Sequence, residues 1–151
     1  MVVGGAEPFY RNGLRFSCTR CSVCCRHESG YVFLSQKDIR ILVAALQMGY
    51  NDVIETYCRW VPVKYREDRL SLQETAGYDC IFWKDGCSVY AGRPLQCRAF
   101  PFWPSLLVSP ETWSQGALSC PGMGTGVLHT RDAIERWVSR QRVEPLIVRR
   151  S

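Results

Sequence analysis

The first helix signal in the chain starts at Ser35, where apolar residues begin to recur at the spacing of one helix face. Ser35 is a good N-cap, and Asp38 stands three residues later, where its carboxylate completes a capping-box pattern. The apolar stripe consists of Ile39, Leu42, Val43 and Leu46. This pattern predicts an amphipathic helix that runs to Met48 and ends at Gly49, a residue that readily adopts the left-handed conformation of a helix stop.

Two more helices are predicted from their caps and apolar spacing. Asn51 caps a short second helix, which contains Cys58 and ends before Pro62. Thr130 caps a C-terminal helix, and Pro145 ends the regular structure. The residues of this last helix that we expect to face the core are Ala133, Ile134, Trp137 and Val138.

Between these helices the apolar pattern changes to the alternation of a strand. Residues 64–74 place leucines on one face and polar residues on the other, which predicts a strand. Residues 80–83 and 87–90 flank an Asp-Gly pair, and such a pair between two β-prone runs predicts a hairpin. A hairpin at this position would bring Cys80 and Cys87 toward the same region.

The pattern as a whole predicts a small α+β fold. A chain of 151 residues with 46% hydrophobic residues is the size of one compact domain, so we expect a single domain over residues 1–151 with its core at about residues 16–142. No stretch approaches the roughly 20 apolar residues that cross a bilayer, and the first residues lack the features of a secretion leader. We therefore expect a cytoplasmic protein without a membrane partner.

Nine cysteines change this picture. Disulfides rarely persist in a reducing cytoplasm, and the crowding of four cysteines between Cys18 and Cys25 suits convergence on a metal better than a disulfide scaffold, which is the alternative. Eight metal-bound thiolates would turn the formal net charge of +5 into about −3, and two dipositive ions would return it to about +1. The basic excess therefore does not point to nucleic acid as a partner.

The run Cys18-x2-Cys21-x2-Cys24-Cys25 is a strong metal signal because cysteines three apart can present their sulfurs to one side of a tight loop. The spacing leaves zinc and an iron–sulfur cluster open. Adjacent side chains point in different directions, so the last two cysteines can serve different centres. Three arginines stand within two residues of a cysteine, Arg20, Arg26 and Arg98, and Arg93 stands four residues before Cys97; all four can donate to sulfur.

Further motifs follow the run in a fixed order. They are Phe16 ahead of the run, then Cys80, Cys87-Ser-Val-Tyr90, Arg93-Pro94, Cys97-Arg98 and Phe100-Pro101. This order resembles the YkgJ-type CxxCxxCC cysteine-cluster family, which is described as a zinc- or iron-chelating domain. The resemblance implies a metal centre, in one or two sites, with the ligands Cys18, Cys21, Cys24, Cys25, Cys80, Cys87, Cys97 and Cys120.

Other residues around the predicted centre receive different roles. Tyr90, Arg93 and Arg98 suit hydrogen bonding to the ligand sulfurs, which tunes geometry and redox potential. Cys58 has no cysteine neighbour in the sequence and is predicted to be a buried free thiol. His27 and His129 are weaker ligand candidates because the cysteines suffice for two full sets. Residues 122–126, Gly-x-Gly-x-Gly, are predicted to be a flexible turn, since no Walker lysine follows them.

Three functions fit these residues. The first is a metal-binding protein whose zinc or iron is structural or stored. The second is an iron–sulfur oxidoreductase or electron-transfer protein with an unknown protein partner. The third is an accessory domain of a protein-modifying system, because flagellin lysine methyltransferases resemble the cysteine motif as well. No catalytic residue is identified from the sequence, and whether the protein is an enzyme stays open.

Overall fold

The structure is a computed structural model of the chain, and it describes residues 7–19, 31–77, 79–84 and 86–150. The described helices and short antiparallel sheets confirm the predicted α+β class. In chain order the elements are β1 (Leu14–Phe16), α1 (Gln36–Leu46), α2 (Tyr50–Tyr57), β2 (Cys58–Lys64), β3 (Glu67–Leu72), a 3-10 helix (Tyr90–Gly92), α3 (Leu95–Ala99), α4 (Pro110–Ala117), β4 (Met123–His129), α5 (Arg131–Val143) and β5 (Val148–Arg150). None of the described helices has the length and apolar character needed to cross a membrane.

The chain divides into two compact units. The first unit comprises Met1–Cys21 and Ala99–Val143, and the second comprises Ser22–Arg98 and Glu144–Ser151. Each unit has a hydrophobic cluster of its own. The expectation of a single domain stays a prediction.

In the second unit, α1 begins as predicted. Ser35 caps it, and the capping box with Asp38 is complete, with both reciprocal hydrogen bonds present. The predicted stop is wrong by two residues, because Gln47 takes the left-handed conformation at φ 54° and Gly49 instead caps α2. The fully buried residues of this unit include Leu34, Ile39, Leu42 and Val53.

The second unit also contains the antiparallel sheet β2-β3-β5. The prediction that Cys58 lies in a helix is wrong, since it opens β2 opposite Leu72. Pro62 is tolerated within β2 because this strand lies at the sheet edge, where an N–H is not needed for the ladder. Strand β5, which follows the predicted end of regular structure, is held to β3 by ion pairs of Arg149 with Asp68 at 2.8 Å and of Arg150 with the buried Glu67 at 3.2 Å.

The first unit pairs β1 with β4 and packs α4 and α5 nearby. Helix α5 is capped by Thr130, as predicted, whereas α4 was not predicted. Residues 123–126 belong to β4, so the predicted flexible turn is wrong. A side chain at Gly122 would overlap the backbone carbonyl of Ser17, which explains the glycine at this close approach. The buried core residues of the unit are Tyr10, Phe102, Trp113, Cys120, Met123 and Ile134.

Candidate metal centre

Two predicted ligands, Cys80 and Cys87, lie on one tight turn of the second unit. The amide of Trp83 donates to the Cys80 carbonyl at 2.8 Å, and Trp83 forms an isolated antiparallel bridge with Cys87. Of the predicted hairpin only this bridge is found, because residues 81–82 and 88–89 form turns and not strands. The Lys84 amide donates to the Gly86 carbonyl at 2.8 Å. Both cysteines are half-buried and pack against the hydrophobic cluster of the unit.

The three residues expected to bond to sulfur form a chain that leads from the 3-10 helix to α3. Nε of Arg93 donates to the Tyr90 carbonyl at 2.9 Å, and Nε of Arg98 donates to the Arg93 carbonyl at 2.9 Å. The Arg93 guanidinium also lies over the Tyr90 ring, 3.8 Å from its centroid. Within the described part of the chain, neither guanidinium pairs with a carboxylate, which leaves their terminal N–H groups suited to an anionic partner.

Cys97 is half-buried in α3, and a buried carboxylate fixes the start of this helix. Asp38 is 2% exposed; its Oδ1 accepts from the Leu95 amide at 2.9 Å, and its Oδ2 accepts from the Ser35 amide at 3.0 Å. Burial raises the pKa of Asp38, an effect that these hydrogen bonds oppose. One side chain thus caps α1 and holds the helix that carries Cys97.

Gln96, the neighbour of Cys97, connects α3 to the segment that follows the cysteine run. Its Oε1 accepts from the Phe33 amide at 3.1 Å, and its Nε2 donates to the Tyr31 carbonyl at 2.7 Å. The same segment lies along β3, where the Leu34 amide donates to the Leu70 carbonyl at 3.0 Å. The chain on the C-terminal side of the run is therefore held in the second unit.

In the first unit, backbone pairing joins the segments that carry Cys18 and Cys120. Ser17 donates its amide to the Gly122 carbonyl at 3.3 Å and accepts from the Val127 amide through its hydroxyl at 2.9 Å. Cys18 follows Ser17 directly and is exposed, whereas Cys120 precedes Gly122 by two residues and is buried. These two predicted ligands are therefore brought into the same unit by the β1–β4 pairing.

Cys58 and His129 have environments that suit structural roles. Cys58 is 6% exposed, and burial raises the pKa of its thiol to about 12, so it stays protonated at neutral pH. His129 lies in the β1–β4 pair, where its Nε2 is 2.9 Å from the Phe16 carbonyl. Its ring packs on the Phe102 ring, with 5.0 Å between the two ring centroids.

The rest of the predicted site lies outside the described residues. This holds for the ligands Cys21, Cys24 and Cys25 and for Arg20, Arg26 and His27. Among the residues that the structure describes, no three histidine, cysteine or acidic side chains come together as a metal site.

Comparison with known proteins also indicates a metal-binding domain. Residues 17–121 match the family described as "CxxCxxCC: Putative zinc- or iron-chelating domain". The chain belongs to the CxxCxxCC family. The match starts one residue before Cys18 and ends one residue after Cys120, so it encloses the whole predicted ligand set.

One relative of this CxxCxxCC protein is the uncharacterized protein MJ0661 of Methanocaldococcus jannaschii. The two are 29% identical over 96 residues, which is 62% of this chain and 48% of the relative. The chain thus spans about half the length of that curated relative. No solved structure matches the chain.

Sequence reasoning missed the long-range contacts of two residues of this CxxCxxCC protein. Asp38 was recognised as a helix cap but not as the acceptor for α3, and Gln96 was not singled out at all. Their bonds join residues separated by 57 and about 65 positions, respectively, and no local pattern signals contacts of this range. Only the packing of α1, α3 and the residue 31–33 segment reveals them.

Proposed function

We propose that this protein binds zinc or iron through eight cysteine thiolates. The ligands of the proposal are Cys18, Cys21, Cys24, Cys25, Cys80, Cys87, Cys97 and Cys120. Its main support is the family match, whose limits at residues 17 and 121 lie one residue outside the first and last of these cysteines. A cytoplasmic location belongs to the proposal, because a reducing compartment keeps thiolates available for metal.

Two arginines close to Cys97 in the chain support thiolate ligands. Arg93 and Arg98 are half-buried, and their Nε groups are held by backbone carbonyls, so each guanidinium has a restricted orientation. Cations near sulfur favour the thiolate over the thiol. In the proposal these two arginines and Tyr90 surround the ligands, where they stabilise the negative charge of the sulfurs and set the metal affinity.

The ninth cysteine provides an internal contrast. Cys58 sits in a strand, buried and with a pKa of about 12, so that metal binding there would have to overcome a large cost of deprotonation. The half-buried Cys80, Cys87 and Cys97 lie instead on turns and a short helix. The proposal therefore leaves Cys58 out of the ligand set.

A second candidate is an iron–sulfur protein that transfers electrons. It is favoured by the exposure of Cys18, because a cluster bound there would lie near the surface, within reach of a partner. In that case the bound cluster supplies one-electron redox chemistry, and the chain's residues hold and shield it.

Purification without oxygen, followed by metal analysis and an optical spectrum, tests both candidates. Zinc in closed thiolate sites gives a colourless protein with at least one zinc ion per chain. An iron–sulfur cluster gives a brown protein whose absorption bleaches reversibly on reduction. Protein that contains neither metal, and takes up neither on reconstitution, would refute the proposed function.

A further inference from the structure

The sheet β2-β3-β5 has one face on the hydrophobic cluster of the second unit and a second face that carries charged and aromatic side chains. Leu70 and Leu72 of β3 belong to the cluster. Side chains alternate along a strand, so Arg69 and Ser71 lie on the second face, where a bridge between Ser71 and Phe33 adds a neighbouring segment. The side chains of this second face, which we term the polar face, include Tyr31, Phe33, Arg59, Lys64, Glu67, Arg69 and Arg150.

Aromatic rings and guanidinium groups contact one another on the polar face. The rings of Tyr31 and Phe33 are stacked, with 5.6 Å between their centroids. The Arg59 guanidinium lies over the Tyr31 ring at 5.3 Å from its centroid, and the Arg69 guanidinium lies over the Phe33 ring at 5.7 Å. Tyr31 is 49% exposed, so this cluster of flat groups is open to solvent at one ring.

The carboxylates at the polar face are buried, whereas its cations reach into solvent. The Glu67 side chain is only 6% exposed, and it is paired with three cations: Lys64 at 3.7 Å, Arg69 at 3.5 Å and Arg150 at 3.2 Å. Glu74, which pairs with Arg59 at 2.9 Å, is 11% exposed. The side chains of Lys64 and Arg150 are 68% and 72% exposed, so a ligand that approaches this face meets positive charge.

Single-stranded nucleic acid presents both of the chemical groups that such a face binds. Its phosphates pair with exposed lysine and arginine, and its unpaired bases stack on aromatic rings and on guanidinium planes. A duplex keeps its base faces inside the helix, and an acidic peptide offers the negative charge without the flat bases. The net charge of the whole chain does not indicate this partner, because metal-bound thiolates would offset it. The indication comes from where the cations and the rings lie.

We propose that the polar face binds single-stranded nucleic acid, with a base stacked on Tyr31 and phosphates held by Lys64 and Arg150. Stacking and phosphate contacts are available to every nucleotide, so the binding has little sequence preference and weakens as salt is added. The proposal goes beyond the metal-binding function and does not rest on it, since no residue of the polar face is a proposed metal ligand.

The test measures binding of a fluorescent oligothymidylate of about 12 nucleotides, by anisotropy, to protein purified without oxygen. Tyr31→Leu is compared with Tyr50→Leu in α2, and Arg150→Gln with Arg140→Gln, which removes an exposed arginine from α5. Tyr31→Leu should raise the Kd about fivefold or more, because it removes the ring on which a base stacks. Arg150→Gln should reduce the slope of log affinity against log salt by about 0.7. Each control should change the Kd less than about twofold and leave the slope as it is in the wild type.

The wild-type protein supplies a test that needs no variant. It should bind the single strand more tightly than a duplex of the same length, and polyglutamate should compete poorly. On titration with the oligonucleotide, the amide resonances of residues 31–33 and 148–150 should shift most.

Three results would overturn the proposal. The first is a wild-type protein that does not bind the oligonucleotide. The second is equal affinity for duplex and single strand, with Tyr31→Leu unchanged, which would indicate attraction to any polyanion. The third is tighter binding of polyglutamate than of the oligonucleotide, which would indicate an acidic protein as the partner. Metal content is measured separately on the same preparations, so the failure of either proposal is distinguished from the failure of the other.

Discussion

The second unit contains two kinds of cysteine environment. Cys58 opens a seven-residue strand, faces Leu72 across a regular ladder and is 6% exposed. Cys80, Cys87 and Cys97 are half-buried and lie on a tight turn and a five-residue helix. The first environment shields a neutral thiol, whereas the second leaves the cysteine residues partly exposed.

The difference also concerns what stabilises each region. Strands β2 and β3 are bonded along their length and cover a buried core. The segment from Glu74 to Arg98 has isolated bridges and one-turn helices, and such short elements are not stable without external contacts. The cysteine-bearing segment therefore depends on contacts beyond its own backbone, which include the hydrophobic cluster and Asp38 and, under the proposed function, the metal.

Metal removal should lower the stability of the protein more than the other changes. Binding of structural zinc supplies about 10–16 kcal/mol in small zinc-dependent domains, so its removal should lower the stability of this chain by several kcal/mol. Exchange at the amides of Trp83 and Ser88 should speed up far more than at Leu70 and Leu72 in the sheet. Circular dichroism melts and hydrogen exchange measure this, and an unchanged melt after verified metal loss would contradict it.

Loss of the Asp38 carboxylate should have the next largest effect. Asp38→Ala leaves the buried amides of Ser35 and Leu95 without acceptors, at about 1–3 kcal/mol each, so we expect a loss of roughly 3 kcal/mol in chemical denaturation. Asp52→Ala, which removes an exposed acidic residue from the first turn of α2, is the control and should cost less than about 1 kcal/mol. Equal losses would show that the clamp on α3 contributes little.

Deprotonation of the buried Cys58 thiol should give the smallest loss of stability, and only at high pH. Burial raises the pKa of Cys58 from 9.0 to about 12, so the unfolded chain loses this proton first as pH rises. The contribution of this thiol to the free energy of unfolding is therefore fully present below pH 9, and it decreases between about pH 9 and 12. Between pH 8 and 10 the wild type should lose about 1 kcal/mol more than Cys58→Ala, measured by denaturant unfolding. Parallel pH profiles would argue against a buried, protonated thiol.

The sequence predicted those features that depend on local signals. The capping box at Ser35 and the cap at Thr130 are correct because each uses residues within one helical turn. Helix α4 was missed although Ser109 and Pro110 carry the same kind of signal, an N-cap followed by proline in the first turn.

The errors have a tertiary origin. Cys58 was placed in a helix because its neighbours have helical spacing, but pairing with Leu72 draws the chain into a strand. Strand β5 has only three residues and is held by ion pairs to Asp68 and Glu67, more than 80 positions away. The family was readable from the order of the cysteine motifs, whereas the hydrogen bonds of Asp38 and Gln96 to distant backbone were not.

The most direct test of the central claim is the metal content of two cysteine variants purified alongside the wild type without oxygen. Cys97→Ser removes a half-buried thiol from α3, and Cys58→Ser removes the buried thiol of β2. Our account predicts that Cys97→Ser loses most of the zinc or iron per folded chain, whereas Cys58→Ser retains the wild-type amount. Equal metal content in the two variants, or loss confined to Cys58→Ser, would contradict it.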